Sequence, residues 1–328
     1  MKTLTVLVNL FILLLPTPTK AAEKVSIDEA LLIVVDKKNL VAKLKTWPPN
    51  GTPSINLGTF RVATGKVEGD KQVEGDNKTP EGIYFSQSII NGNTLPAKYG
   101  PFAIPLNFPN PIDLMEKKTG YGIWLHGVKD NTRIEQSKIT EGCIAFYNQD
   151  IDLLSELLSP RQSMIMITND ILSINNRHHI NAIANQHNKW LSSWQDRDID
   201  TYISLYDDGF SYKRMNKSGY KRHKARIFSS YNQIHLEQRD TRIIVHNKYG
   251  LSISNQFFRG DKRYKSQGRK HLYWRLSTNN QWRIIVEDFK DGFKKSKNID
   301  LKKIQDIISR SPSTKFLASR QSSNKQAL

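Results

Sequence analysis

Cys143 and His126 are of the two types that together make an acyl-transfer nucleophile. Cys143 is the only cysteine among 328 residues, and His126 ends the apolar run Tyr121-Gly122-Ile123-Trp124-Leu125. A free thiol titrates at about 8.5 and only the thiolate attacks, so it needs a base. An imidazole can take that proton and later return it. Gly127 and Gly142 stand beside the pair and leave room for a substrate to approach the backbone. No Gly-rich phosphate loop, Cys/His metal cluster or paired-carboxylate motif accompanies them, so neither cofactor nor metal is expected. His178-His179 reads as a solvated pair rather than a metal site.

Strands must carry these residues. Ala30 to Asp36 is a buried-strand pattern, Lys37-Lys38-Asn39 a turn, and Leu40 to Trp47 a second strand, which makes a hairpin. Phe60 to Gly65 is a third strand, followed by a polar loop from Gly65 to Lys78. Pro80-Glu81-Gly82 signals a tight turn into the strand Ile83–Phe85. Residues 91–113 are Pro- and Asn-rich and read as a long surface loop. Tyr121–Leu125 is the strand that delivers His126. Asp150 is expected to cap a helix, Ile151 to Leu158, and Met164–Ile167 closes the domain as a strand.

Hydrophobic residues make up 38% and charged residues 24%, as in a globular protein with room for two domains. Residues 1–22 read as a signal peptide: Lys2, an apolar run from Val6 to Leu15, prolines, then Ala21-Ala22. An exported, periplasmic location is therefore expected. A lone thiol there has no partner for an internal disulfide. Net charge is +18 and unevenly placed: residues 1–182 carry 19 Lys+Arg against 18 Asp+Glu, residues 183–328 carry 30 against 13. So sharp a break suggests two domains with different tasks.

His126-Gly127 followed by Thr140-Glu141-Gly142-Cys143-Ile144 resembles the catalytic motif of the LD-transpeptidase (YkuD) family. Ala63-Thr64-Gly65-Lys66 and Thr79-Pro80-Glu81-Gly82 match in order, and the resemblance covers about residues 30–169. It implies a mainly β domain, a YkuD-type β-sandwich with a helix after the cysteine. Most members carry Arg two positions after the nucleophile, where this chain has Ala145. That Ala, the Trp124-Leu125-His126-Gly127 strand and the loop from Tyr99 to Phe102 are similar to a subset, the cell-shape LD-carboxypeptidases.

The resemblance implies that Cys143 attacks the bond between the L-centre of meso-diaminopimelate and a terminal D-residue in peptidoglycan stem peptides. His126 is then the general acid/base, oriented by the backbone carbonyl of Gly127. The N–H groups of Gly142 and Cys143 are candidates for an oxyanion hole. Trp124, Thr140 and Tyr99 are candidate substrate contacts, with core filling and turn chemistry as the plainer roles for Trp124 and Thr140. An amine acceptor gives a 3–3 cross-link, water gives a trimmed stem, and the motif leaves both open.

Residues 170–182 read as a polar linker. Trp190, Trp194, Tyr202, Leu205 and Tyr206 recur at helical spacing, and strand-like runs follow, ending in Trp282–Glu287. Helices and then a curved sheet, over about 183–291, resemble the α+β NTF2-like cone. That fold implies a pocket, and its basic charge suits an acidic partner. Peptidoglycan stems are the expected partner, and anionic lipid competes. Export argues against nucleic acid, and the domain leaves room for other wall-synthesis proteins and for a homodimer. Residues 292–328 read as a basic, partly disordered tail with a short amphipathic stretch at Leu301, Ile304, Ile307 and Ile308. A catalytically silent wall-binding or scaffold protein, acting through the basic domain, is the alternative to an enzyme.

Overall fold

The structure, a computed structural model, describes residues 31–49, 54–171, 177–261, 264–292 and 301–313. The leader expected at 1–22 lies outside them. The first half runs β1 (Leu31–Asp36), β2 (Val41–Thr46), β3 (Asn56–Gly65), β4 (Gly82–Phe85), β5 (Ile90–Asn91), β6 (Phe102–Pro105), α1 (Pro111–Met115), β7 (Trp124–His126), β8 (Lys138–Thr140), β9 (Ile144–Phe146), α2 (Asn148–Leu157) and β10 (Met164–Thr168). The strands join in the order β4-β10-β1-β2-β3-β9-β7-β6-β5, with β8 beside β3. The sheet curls on itself, and a bridge between Ser86 and Leu106 links the strand ends of β4 and β6.

All six residues of β1 are buried. Ile33 and Val35 face one core with Leu44, Phe60, Leu125 and Phe146. Leu32 and Val34, pointing the other way, join Ile83, Phe85, Met164 and Met166. An unbroken apolar run is what a strand covered on both faces requires.

The cover on that second face is the rest of the chain. It runs α3 (Arg177–Gln195), α4 (Ile199–Ser204), β11 (Ser211–Tyr212), β12 (Met215–Asn216), α5 (Lys217–Ser229), β13 (Ile234–Val245), β14 (Gly250–Gly260), β15 (Tyr264–Leu276) and β16 (Trp282–Asp291). Strands β13 to β16 form an antiparallel meander. One face of the meander packs the aromatics of α3–α5. The other presents Ile244, Leu251, Ile253, Tyr273 and Ile285 to the sheet of the first half, in one shared core.

Several expectations need correction. Residues 91–113 are not one structureless loop: they hold β6 and the start of α1, a helix too short to show periodicity and fixed by an Asn110–Asp113 capping box. The linker expected at 170–182 is in part helix, since α3 begins at Arg177. Helix α2 begins at Asn148, so Asp150 lies inside its first turn instead of capping it. The interior of the second domain is filled: Trp190, Tyr202, Tyr206, Phe210, Tyr220 and Trp274 are all fully buried there. Three of those tyrosines surround the buried carboxylate of Glu287, with Tyr206 and Tyr220 donating at 2.6 and 2.8 Å and Lys270 donating at 2.6 Å. An open groove of about 660 Å³ lies instead between the domains, beside Phe85, Arg161, His271 and Lys290.

The amphipathic stretch expected in the tail is a helix. Helix α6 (Leu301–Ser309) returns to the first half, where Ile304 and Ile308 join its core. Gly58 permits this approach, because a Cβ there would stand 2.7 Å from Ile308 Cγ2.

Candidate active site

Strand register brings the reactive residues together. β7 and β9 run parallel, with Leu125 opposite Ile144 and His126 opposite Ala145. Side chains alternate across a strand, so Leu125 and Ile144 enter the core. Trp124 and His126, with Cys143 and Ala145 beside them, take the opposite face. Neighbouring strands lie about 4.8 Å apart, which sets the thiol and the imidazole on one surface.

His126 Nδ1 lies 2.5 Å from the carbonyl of Gly127. A carbonyl oxygen only accepts, so Nδ1 carries the proton and the lone pair is left on Nε2. Burial lowers the imidazole pKa to about 4, opposed in part by that carbonyl. Burial raises the Cys143 thiol to about 11. The resting pair is neutral, and the half-buried thiol donates to Gly122 O at 3.3 Å.

Tyr99 stands against His126. Its ring centroid is 4.9 Å from Trp124 and 5.1 Å from His126, edge-on to the latter. Trp124 is half-buried in this wall. Lys98 extends its ammonium 5.0 Å from the centre of the Tyr99 ring. Its charge works to lower both active-site pKa values.

Of the two roles open to Thr140, substrate contact and turn chemistry, the structure shows the second. Thr140 is buried, donates to Cys143 O at 2.7 Å and accepts from Gly142 N–H at 3.2 Å. Its one O–H donor and one of its lone pairs serve the nucleophile's turn. The same contact engages the Gly142 N–H, which corrects its assignment as an oxyanion donor in this state. Gly142 takes φ +129, and a Cβ there would sit 2.8 Å from Lys78 O, so the turn requires glycine.

Asn148 has a part that the sequence does not reveal. Its Oδ1 accepts from Val128 N–H at 2.8 Å and lies 2.4 Å from where a Gly127 Cβ would be. It thus braces the carbonyl that orients His126. Gly122 was expected in the strand Tyr121–Leu125, but β7 begins only at Trp124, and the Gly122 carbonyl ahead of it holds the thiol. Ala145 is buried with Ala63, Val128, Ile134 and Tyr147. Among the described residues, no three His, Cys, Asp or Glu side chains form a metal-ligand group.

Residues 30–167 match the family model of the L,D-transpeptidase catalytic domain, YkuD. Residues 182–288 match the Cds6 C-terminal NTF2-like domain. The chain joins a YkuD L,D-transpeptidase domain to an NTF2-like domain. Solved structures share this two-domain plan. Bd1075 of Bdellovibrio bacteriovorus is 27% identical, with a TM-score of 0.70, over 83% of this chain and 96% of that one. The helical cell shape determining protein Pgp2 of Campylobacter jejuni is 24% identical, with a TM-score of 0.64, over 79% of this chain and 91% of that one. No curated protein sequence matches. The L,D-transpeptidase domain supplies the curled sheet and both reactive residues, and the NTF2-like domain covers its far face.

Proposed function

We propose that this L,D-transpeptidase-family protein is exported to the periplasm and remodels peptidoglycan. There it cleaves the bond between the L-centre of meso-diaminopimelate and the terminal D-residue of a tetrapeptide stem. The observation that carries the chemistry is the anchored imidazole: Gly127 O fixes Nδ1–H and leaves Nε2 basic on the face shared with Cys143.

The thiol proton leaves Gly122 O and passes to His126 Nε2, and the sulfur attacks the carbonyl carbon. The Cys143 N–H faces the developing oxyanion. The C–N bond breaks, the imidazolium gives its proton to the leaving amine, and a thioester remains. Water or an amine then loses a proton to Nε2 and attacks the thioester, which regenerates the thiol. Water yields a tripeptide stem, and an amine yields a 3–3 cross-link. A part in cell shape fits this reading, as Pgp2 has the same two-domain build and is a cell-shape determinant.

Purified full-length protein incubated with tetrapeptide muropeptides tests the proposal. Tripeptide products would make it a carboxypeptidase, and cross-linked dimers a transpeptidase. Either product should vanish in Cys143→Ala. Absence of both, with the wild-type thiol unreactive, would leave a wall-binding protein instead.

A further inference from the structure

The β13–β14 hairpin of the NTF2-like domain ends in a tip that enters the catalytic domain. The tip closes with His246 N–H on Tyr249 O at 2.9 Å. His246 Nε2 lies 3.1 Å from Ile167 O of β10. The hydroxyl of Tyr249 accepts from Ile83 N–H at 2.6 Å and from Asn110 Nδ2 at 2.9 Å. Lys248 pairs with Asp70, in the loop between β3 and β4.

Asp70 is the knot of that loop. Its Oδ2 also receives Lys118 at 2.8 Å, and its Oδ1 receives Glu81 N–H at 2.7 Å. Burial works to raise its pKa, but the two lysine contacts and the Glu81 N–H outweigh that and hold it below the usual range. Lys37 ties the loop from the other side, donating to Gly69 O at 2.5 Å, Thr79 O at 2.8 Å and Glu81 Oε1 at 2.9 Å.

From Asp70 the loop reaches the nucleophile by two short paths. Thr119 N–H donates to Gln72 O at 3.0 Å, and Glu74 N–H donates to Thr119 Oγ1 at 3.1 Å. Those bonds fix the segment running to Gly122, whose carbonyl takes the thiol. On the other side, Lys78 O is packed against Gly142, and Lys66 N–H donates to Thr140 O at 2.9 Å.

We propose that Lys248 and Tyr249 are positioning residues of the active site. Through Asp70 and Ile83, the second domain sets the 66–78 loop and with it the seat of the Cys143 thiol. The domain then completes the catalytic site in addition to any binding task. This rests on the proposed acyl-transfer role of Cys143, and its test separates the two.

The test uses the full chain with Lys248→Met, Lys248→Arg and Tyr249→Phe, and reads turnover of tetrapeptide stems, melting temperature and the pH profile of Cys143 alkylation by iodoacetamide. A released loop frees the thiol from its buried seat, so alkylation in Lys248→Met should shift to lower pH while kcat falls at least tenfold. Lys248→Arg should restore both, and Tyr249→Phe should move both in the Met direction. Alkylation is read even if no stem is cleaved, so a failed substrate assignment would not conceal the effect. A lower melting temperature with unchanged alkylation and kcat would overturn the proposal and leave the tip as a brace of the fold. If Lys248→Met does not fold, Tyr249→Phe and Lys248→Arg decide on the same readouts.

Discussion

Ser313 donates a hydrogen bond of 2.5 Å to Asp150, across almost half the chain. The second carboxylate oxygen takes Ser311, also at 2.5 Å. Asp150 is fully buried in the first turn of α2, just after the strand that follows Cys143. Ser313 Oγ also accepts Arg61 N–H from β3 at 2.8 Å. The tail thus bolts α2 to β3, two elements that flank β9.

This contact predicts a pH-dependent stability. Burial raises the Asp150 pKa, and the two serines pull it partway back. A carboxyl with a raised folded pKa costs nothing while protonated and carries its full penalty above that pKa. Ser311→Ala with Ser313→Ala raises the pKa further. The double variant should lose roughly 3 kcal/mol at neutral pH, from hydrogen bonds to a charged group. The deficit should shrink as the carboxyl is protonated. Denaturant titrations at neutral and acidic pH check this, and a deficit that ignores pH would count against the charge-holding role.

Four buried histidines set the acid limit of the fold. Burial lowers His126, His187 and His246 to about 4 and His271 to about 3. Each stays neutral when folded, while the unfolded chain binds its proton near 6.5. Stability is therefore complete above about 6.5 and falls as pH drops toward the folded values. A shift of this size is worth on the order of 3 kcal/mol for one group. Melting temperature should fall steeply between those limits, and a His187→Gln variant should show a shallower fall.

The same values shape the rate profile. With His126 at about 4 and Cys143 at about 11, the neutral pair persists across the middle of the pH range. Initial rates of stem cleavage should be flat around neutrality and fall on the acid side as Nε2 is protonated. Alkylation by iodoacetamide should stay slow at neutral pH and climb toward the thiol pKa. A fast-reacting thiol at pH 7 would mean a pre-formed thiolate, a different resting state.

Thr140 should matter to rate more than to folding. It bridges Gly142 N–H and Cys143 O within one turn. Thr140→Val keeps the shape and removes both bonds, so the turn loosens around the nucleophile. The expected result is a kcat loss of about tenfold or more with a stability cost of about 1 kcal/mol. Thr140→Ser should recover most of the rate. Equal loss in both variants would point to the methyl group instead.

The sequence displayed Cys143 and His126 because their placement rests on nearby chain: a strand's alternation and the 16 residues between them decide it. Thr140 and Gly142 were legible as residues, but the sequence left substrate contact and turn chemistry both open for Thr140. Lys248 and Ser313 were not legible. Their partners, Asp70 and Asp150, are far off in the chain, and a Lys in a turn or a Ser in a basic tail reads as solvated. The long loop after β5 was misread for a related reason, as α1 is too short for a period and rests on its cap.

The shared core predicts that the two domains do not separate cleanly. Leu32, Val34, Ile83, Phe85, Met164 and Met166 lie on the catalytic face that Ile244, Leu251, Ile253, Tyr273 and Ile285 cover. A chain ending at residue 169 would expose that face, and it would also lose the Tyr249 hydroxyl that receives Ile83 N–H. An apolar face of this extent drives association when bare. The truncated form should therefore aggregate or bind a hydrophobic dye, with little stem-cleaving activity even when kept in solution. Adding residues 170–328 as a second chain should bring back solubility if the faces re-pair. A monomeric, fully active product from residues 30–169 alone would show that the far face tolerates water and that the second domain is dispensable for the chemistry.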